Sequence, residues 1–185
     1  MLITLEPIAK PFPALVGANS AKQMGALMAK SSIPIVVYAS VLDEILDFSH
    51  RDLNHELGGF LVGGYYLDRR PYVEVQHFLP AAGVTSGHFS LKFTHATWSN
   101  LNRQINEEFQ SRRVVGWQHT HPGFSVFLSR HDLFIHRNFF NQPWQIALVV
   151  DPRRQEFGFF SWAGSEIVNN GFVLVPGSPP SKTKF

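Results

Sequence analysis

The run WQIALVVD, residues 144–151, constrains the fold more than any other stretch. It is apolar without a break from Ile146 to Val150, so the period-two alternation of a half-exposed strand is missing. Such a run reads as a central strand covered on both faces. Several segments offer themselves as cover. SVLDEILDFSH (40–50) spaces Val41, Ile45, Leu46 and Phe48 near a helical period, with Ser40 as the expected N-cap. THATWSNLNRQINEEF (94–109) puts Trp98, Leu101, Ile105 and Phe109 on one helical face, and SRHDLFIHRNFF (129–140) also reads as a helix.

The remaining strands follow from β-branched and aromatic runs bounded by turn residues. They are IPIVVY (33–38), GGFLVGGYYLD (58–68) paired with PYVEVQHFL (71–79) through a turn at Asp68–Pro71, HFSLKF (88–93), RRVVGWQHTH (112–121), EFGFFSW (156–162) and GFVLV (171–175). Strands and helices are interspersed, yet several strands are joined by short turns. This pattern favours a mixed sheet sandwiched by helices over a doubly wound parallel sheet. Residues 1–32 read as an N-terminal appendage with a short helix expected around SAKQMGALMAK, residues 33–176 as the one domain, and residues 177–185 as a disordered tail.

Composition narrows the function. A chain of 185 residues with 44% apolar and 16% charged residues supports one globular core. A net charge of +2 without a basic run gives no footprint for nucleic acid. No apolar stretch approaches the roughly 20 residues that span a bilayer. The opening MLITLEPIAKPFPALVG lacks a basic start and carries three prolines, so a cytoplasmic protein without a secretory signal is expected. Cysteine is absent, so any metal must be held by His, Asp or Glu.

GWQHTHPGFSVFLSRHD (116–132) supplies such residues. His119 and His121 are two apart, and on a strand that spacing puts both imidazoles on one face. Pro122 and Gly123 turn the chain, and Asp132 falls in the first turn of the next helix. Two imidazoles and a carboxylate form a three-ligand zinc set that leaves the fourth tetrahedral position for water. Glu56, in HELGGFLVGG, is the candidate proton carrier, and Gly58, Gly59, Gly63 and Gly64 around its strand permit close approach or bulging. Ser129 is the candidate hydrogen-bond donor to a tetrahedral oxyanion. The same residues have a plainer reading: a His-x-His pair alone is weak, and Ser129 to Asp132 matches a helix-capping pattern.

The ordered set of Glu56, HTHP at His119–Pro122, Ser129 seven residues after Pro122, and Asp132 three after that resembles the signature of the JAMM, or MPN-plus, zinc metalloprotease family. ELGGFLVG and ALVVDP are also similar to family strands, and the resemblance spans residues 33–175. It implies a cytidine-deaminase-like α-β-α sandwich with a mixed, largely antiparallel sheet, and one zinc ion per chain. It also implies cleavage after the C-terminal Gly-Gly of ubiquitin or a ubiquitin-like protein, by deconjugation or precursor processing. By the same resemblance His119, His121 and Asp132 hold zinc, Glu56 is the general acid/base and Ser129 stabilises the oxyanion. The connector FFNQPW (139–144) is short where eukaryotic deubiquitinases often carry an insertion, which is similar to the compact prokaryotic members. The substrate tail is expected to add a strand near residues 88–93. Alternatives are a non-catalytic MPN scaffold and a hydrolase releasing a carrier-protein adduct.

Other residues near the motif are weighed the same way. Trp117 is expected in the core below His119, and His136 shares a helical face with Asp132 and is a candidate outer partner of the site. His131 is expected to face away, Phe124 and Phe127 are loop anchors or substrate contacts, and Asp151 is a strand-end turn residue.

Overall fold

The computed structural model describes residues 6–13, 21–25, 32–81, 85–87, 90–109 and 112–180. In chain order the elements are β1 (Ile8–Ala9), β2 (Lys22–Met24), β3 (Ile35–Tyr38), α1 (Ala39–Ser49), β4 (Gly58–Leu67), β5 (Pro71–Pro80), β6 (Thr85–Gly87), β7 (Ser90–Lys92), α2 (His95–Glu108), β8 (Arg113–Thr120), α3 (Arg130–Phe139), β9 (Ile146–Asp151), β10 (Glu156–Ala163), β11 (Glu166–Asn170) and β12 (Phe172–Val175). One mixed sheet runs in the order β11-β10-β9-β8-β4-β5-β3-β12-β2, with β1 added in parallel beside the end of β4. β4 pairs antiparallel with β5 and β8, whereas β8 and β9 run parallel. β6 and β7 form a separate hairpin.

The apolar run at 144–151 behaves as its composition requires. Ile146, Leu148 and Val150 of β9 pack in the cluster that contains Val41, Leu42 and Ile45 of α1. Ala147 and Val149 point the other way, into the cluster holding Leu101 of α2 and Ile135 of α3. The sheet is thus covered by α1 on one face and by α2 and α3 on the other. Fully burying each Val, Leu or Ile stabilises the fold by about 1.5–3 kcal/mol, so both layers are needed to make this strand favourable.

Strand β8 carries the feature that aims the site. Leu61 of β4 faces Gly116 while Val62 faces Val114, so Val115 is an extra residue on β8. This bulge resets the alternation. Val115 packs with the α1 cluster, and two residues later Trp117 packs with the α2 and α3 cluster. Gln118 then points back toward α1, where its Nε2 donates to Ser49 Oγ at 3.2 Å. Gly116 has no room for a side chain, since a Cβ there would lie 2.1 Å from the carbonyl oxygen of Ile146.

Three sequence expectations change. Ser40 is not the cap of α1: Tyr38 holds that place with no side-chain bond, and the Ser40 N–H donates to the Gly177 carbonyl at 3.1 Å. The segment expected to be helical around residues 20–30 places Lys22–Met24 in a strand antiparallel to β12, because that edge offers unpaired backbone groups; residues 26–31 lie outside the described set. β1 and β2 therefore both join the sheet, although they fall within residues 1–32. β11 was not anticipated, since EIVNN carries only two apolar residues and gains its strand form by pairing with β10. In the tail, residues 181–185 lie outside the described residues.

Substituting Gly116→Ala forces a methyl group against the β9 backbone and should destabilise the protein by about 2–3 kcal/mol. Urea unfolding of the variant beside the wild type checks this; an unchanged midpoint would contradict the close approach.

Candidate metal centre

Three elements converge at the end of β8. The strand delivers His119, fully buried, and its continuation delivers His121 before Pro122 ends the ladder. The N-terminus of α3 delivers Asp132, also buried. Loop 51–57, ahead of β4, delivers Glu56. The Nε2 atoms of His119 and His121 lie 3.1 Å apart. Asp132 Oδ1 is 3.4 Å from His119 Nε2, and Oδ2 is 3.4 Å from His121 Nε2. One ligand atom from each of the three residues lies within 4.8 Å of the other two, a grouping that could hold a metal ion such as tetrahedral zinc. Glu56 Oε1 stands 4.0 Å from His121 Nε2, near enough to face the same point. The structure thus brings Glu56, His119, His121, Ser129 and Asp132 together.

Ser129 is the N-cap of α3. Its Oγ accepts the Asp132 N–H at 3.2 Å, and its own N–H donates to Asp132 Oδ2 at 2.7 Å. The plain capping reading and the site reading are therefore the same geometry. Burial alone would raise the Asp132 pKa, but hydrogen bonds from His119, His121 and Ser129, with the electrostatic pull of His119, hold it well below the carboxylate range. Burial works against a charged His121, yet the Asp132 and Glu56 carboxylates outweigh it and raise its pKa. The centre thus gathers the Asp132 and Glu56 carboxylates beside two imidazoles, a set of groups that could hold a cation.

The residue between the two histidines also has a task. Thr120 accepts the Leu57 N–H on Oγ1 at 2.8 Å, while its own N–H donates to the Leu57 carbonyl at 2.9 Å. The neighbour of Glu56 is thereby fixed to the strand that carries His119. Sequence reasoning passed over Thr120 because its contact lies 63 residues away. Asp151 was read as a turn residue, and it does more. Its buried carboxylate accepts the N–H groups of Gly123 at 2.9 Å and Ser125 at 2.8 Å, as well as Arg154 Nη1 at 2.9 Å. Gly123 and Ser125 both have positive φ, 86° and 72°, so Asp151 holds the turn after His121 in a conformation that a side chain at 125 disfavours. Arg153 reaches back from the same turn to the Leu53 carbonyl at 2.9 Å and to Asn54 Oδ1 at 3.0 Å. One short turn therefore braces both the loop of Glu56 and the loop after His121.

Among the remaining expectations, Trp117 is fully buried as its position implied. His131 is exposed, and Phe124 and Phe127 are exposed at 54% and 46%, on the loop beside the site. His136 makes no hydrogen bond to Asp132. Instead its Nδ1 accepts the Trp117 Nε1–H at 3.1 Å.

Burial would raise the Asp151 pKa, but the hydrogen bonds it accepts lower it well below the usual range. A depressed folded pKa gives stability that is present above the unfolded value, about 3.9, and is lost as pH falls below it. Asp151→Ala should then cost about 2–4 kcal/mol near neutrality, from two or more bonds to a charged acceptor. The difference from wild type should shrink as pH drops below about 4. Unfolding curves across that range check it, and a difference independent of pH would contradict the charged-acceptor account.

Comparison with known proteins agrees with this geometry. A family model described as JAB1/Mov34/MPN/PAD-1 ubiquitin protease matches residues 30–142, more than half of the chain. The chain is 27% identical over 79 residues to an "NAD(+) hydrolase TcpA" of a Theionarchaea archaeon, covering 42% of this chain and 24% of that protein. It is 28% identical over 123 residues to the COP9 signalosome complex subunit 5 of Caenorhabditis elegans, covering 65% of this chain and 33% of that one. The chain therefore spans a third or less of these curated relatives. The solution structure of a Desulfitobacterium hafniense protein aligns with a TM-score of 0.64 at 16% identity, over 82% of this chain and 99% of that one, a likeness of fold. The family match spans Glu56 and the whole run from His119 to Asp132, and the sandwich fold carries those residues to one point: the chain belongs to the JAB1/Mov34/MPN/PAD-1 family.

Proposed function

We propose that this chain is a zinc-dependent peptidase that cleaves after the C-terminal glycine of a ubiquitin or ubiquitin-like protein, either from a lysine conjugate or from a precursor. The observation that carries the reading is the convergence of His119, His121 and Asp132 with Glu56 Oε1 4.0 Å from His121 Nε2. In this reading the two Nε2 atoms and the Asp132 carboxylate hold one zinc ion. The ion, when bound, supplies a Lewis acid and lowers the pKa of water toward neutrality. Glu56 takes the proton from the attacking water and returns it to the leaving amine. Ser129, held at the rim by its cap on α3, donates to the oxygen that becomes negative in the tetrahedral intermediate.

Two further features support an extended protein tail as substrate. Phe124 and Phe127 present apolar surface next to the site, and the Phe127 ring lies 4.9 Å from that of His121. The β6–β7 hairpin is separate from the main sheet, and its strands are the place where a tail would add another. The cytoplasm is the setting in which we expect such a substrate to be met.

Glu56→Gln removes the proton acceptor and keeps the shape. Assayed on a ubiquitin-like protein joined through Gly-Gly to a lysine reporter, it should bind zinc and unfold as the wild type does. Its kcat/KM should fall by at least about 100-fold. Turnover at the wild-type rate in a zinc-loaded variant would remove Glu56 from the mechanism, and an intact, zinc-loaded wild type inert on every such substrate would favour the scaffold reading.

A further inference from the structure

We propose that His136 is a positioning residue for the metal centre, holding the Trp117 indole so that the indole in turn holds the His119 imidazole in the plane that ligation requires. The inference rests on the zinc reading above. It begins from how a ligating histidine is normally fixed. The ring nitrogen that does not face the metal almost always donates to a carboxylate, a carbonyl or water, and that bond sets the plane of the ring. His119 faces the centre with Nε2, and its Nδ1 has no hydrogen-bond partner among the described residues. Its plane is set from the side instead. The ring lies flat on Trp117, with centroids 4.5 Å apart and 9° between the planes.

Trp117 can do this only if its own plane is fixed. Phe140 stacks on it at 5.8 Å and 15°, and Phe93 meets it edge-on at 5.9 Å. Stacking resists tilting but not sliding or in-plane rotation. The directional contact is the bond from Trp117 Nε1–H to His136 Nδ1, 3.1 Å long, between two side chains with no exposed surface. A bond from that donor requires an unprotonated Nδ1, so the His136 proton sits on Nε2. That Nε2 has no hydrogen-bond partner among the described residues. A buried N–H without an acceptor is unfavourable, and the surroundings of His136 are the rings of Phe140 and Trp162, where an apolar ring would pack as well. What the imidazole adds at this place is the acceptor for Trp117.

The test measures metal affinity on the full chain, by zinc competition with a chelator and by the visible spectrum of the cobalt-loaded protein. His136→Phe keeps a ring in the stack and removes the acceptor. His136→Asn returns an acceptor at the position of Nδ1. Zinc affinity should fall about 10- to 100-fold in His136→Phe, the range for outer partners of metal ligands, with an altered cobalt spectrum. His136→Asn should recover most of both. Trp117→Phe deletes the same bond from the donor side, so adding His136→Phe to it should cause little further loss. Wild-type affinity and spectrum in His136→Phe, no advantage of Asn over Phe, or additive losses in the double variant would each overturn the proposal. Should His136→Phe not fold, His136→Leu is compared with His136→Asn by the same measure, tighter binding in His136→Asn supporting the proposal and equal binding overturning it. A wild type that takes up no zinc fails the metal reading itself, whereas a wild type that binds beside unaffected variants fails only the role of His136.

Discussion

The carboxylate of Asp132 is the interaction on which the rest of the structure turns. It is buried, and a buried charge is tolerable only with partners. Asp132 has partners on two sides. The Ser129 N–H and the helix start lie behind it, and two imidazoles lie in front. The cap makes α3 begin where it does, so the helix cannot shift without moving the Asp132 carboxylate. A helix N-terminus also favours negative charge, by about 0.3–1 kcal/mol in ordinary cases. Local helix chemistry and site chemistry thus act on the same carboxylate, and neither explains the geometry alone.

The two histidines depend on the phase of one strand. The extra residue Val115 sets Trp117, and with it His119, toward the α2 and α3 layer. Gly116 permits the close contact with β9 that this requires. β9 in turn ends in Asp151, whose carboxylate shapes the turn after His121. The central strand therefore does more than fill the core. It braces β8 along its length and closes the loop that follows His121. Thr120 and Arg153 extend the brace to the loop that bears Glu56, so that four separate segments meet in one register.

Much of this was legible in the sequence, and the pattern of what was not has a physical cause. Uninterrupted burial at Ile146–Val150, the amphipathic faces of the helices, and the HTHP turn with Ser129 and Asp132 are local signals, readable from spacing. They delivered the layers and the five residues that the fold gathers. The bulge at Val115 is not local, because it exists only relative to β4. Thr120, Asp151 and His136 were underread for the same reason: each acts on a residue distant in sequence, and a single chain shows no such pairing. Lys22–Met24 and Glu166–Asn170 have weak intrinsic strand signals and take their form from the edges they join. Even the motif is ambiguous by sequence, since Ser129 and Asp132 suit a helix cap as well as a site; the approach of one atom each from His119, His121 and Asp132 to within 4.8 Å is the observation that favours a metal.

The central claim is that this convergence exists to hold a metal ion, and elemental analysis tests it most directly. Zinc per chain should be measured in purified wild-type protein beside His121→Ala, with a folding check on both. The account predicts about one zinc per wild-type chain and little in the variant. A well-folded wild type that takes up no zinc when the metal is supplied would contradict it, and would leave Ser129 and Asp132 as the cap of a helix and nothing more.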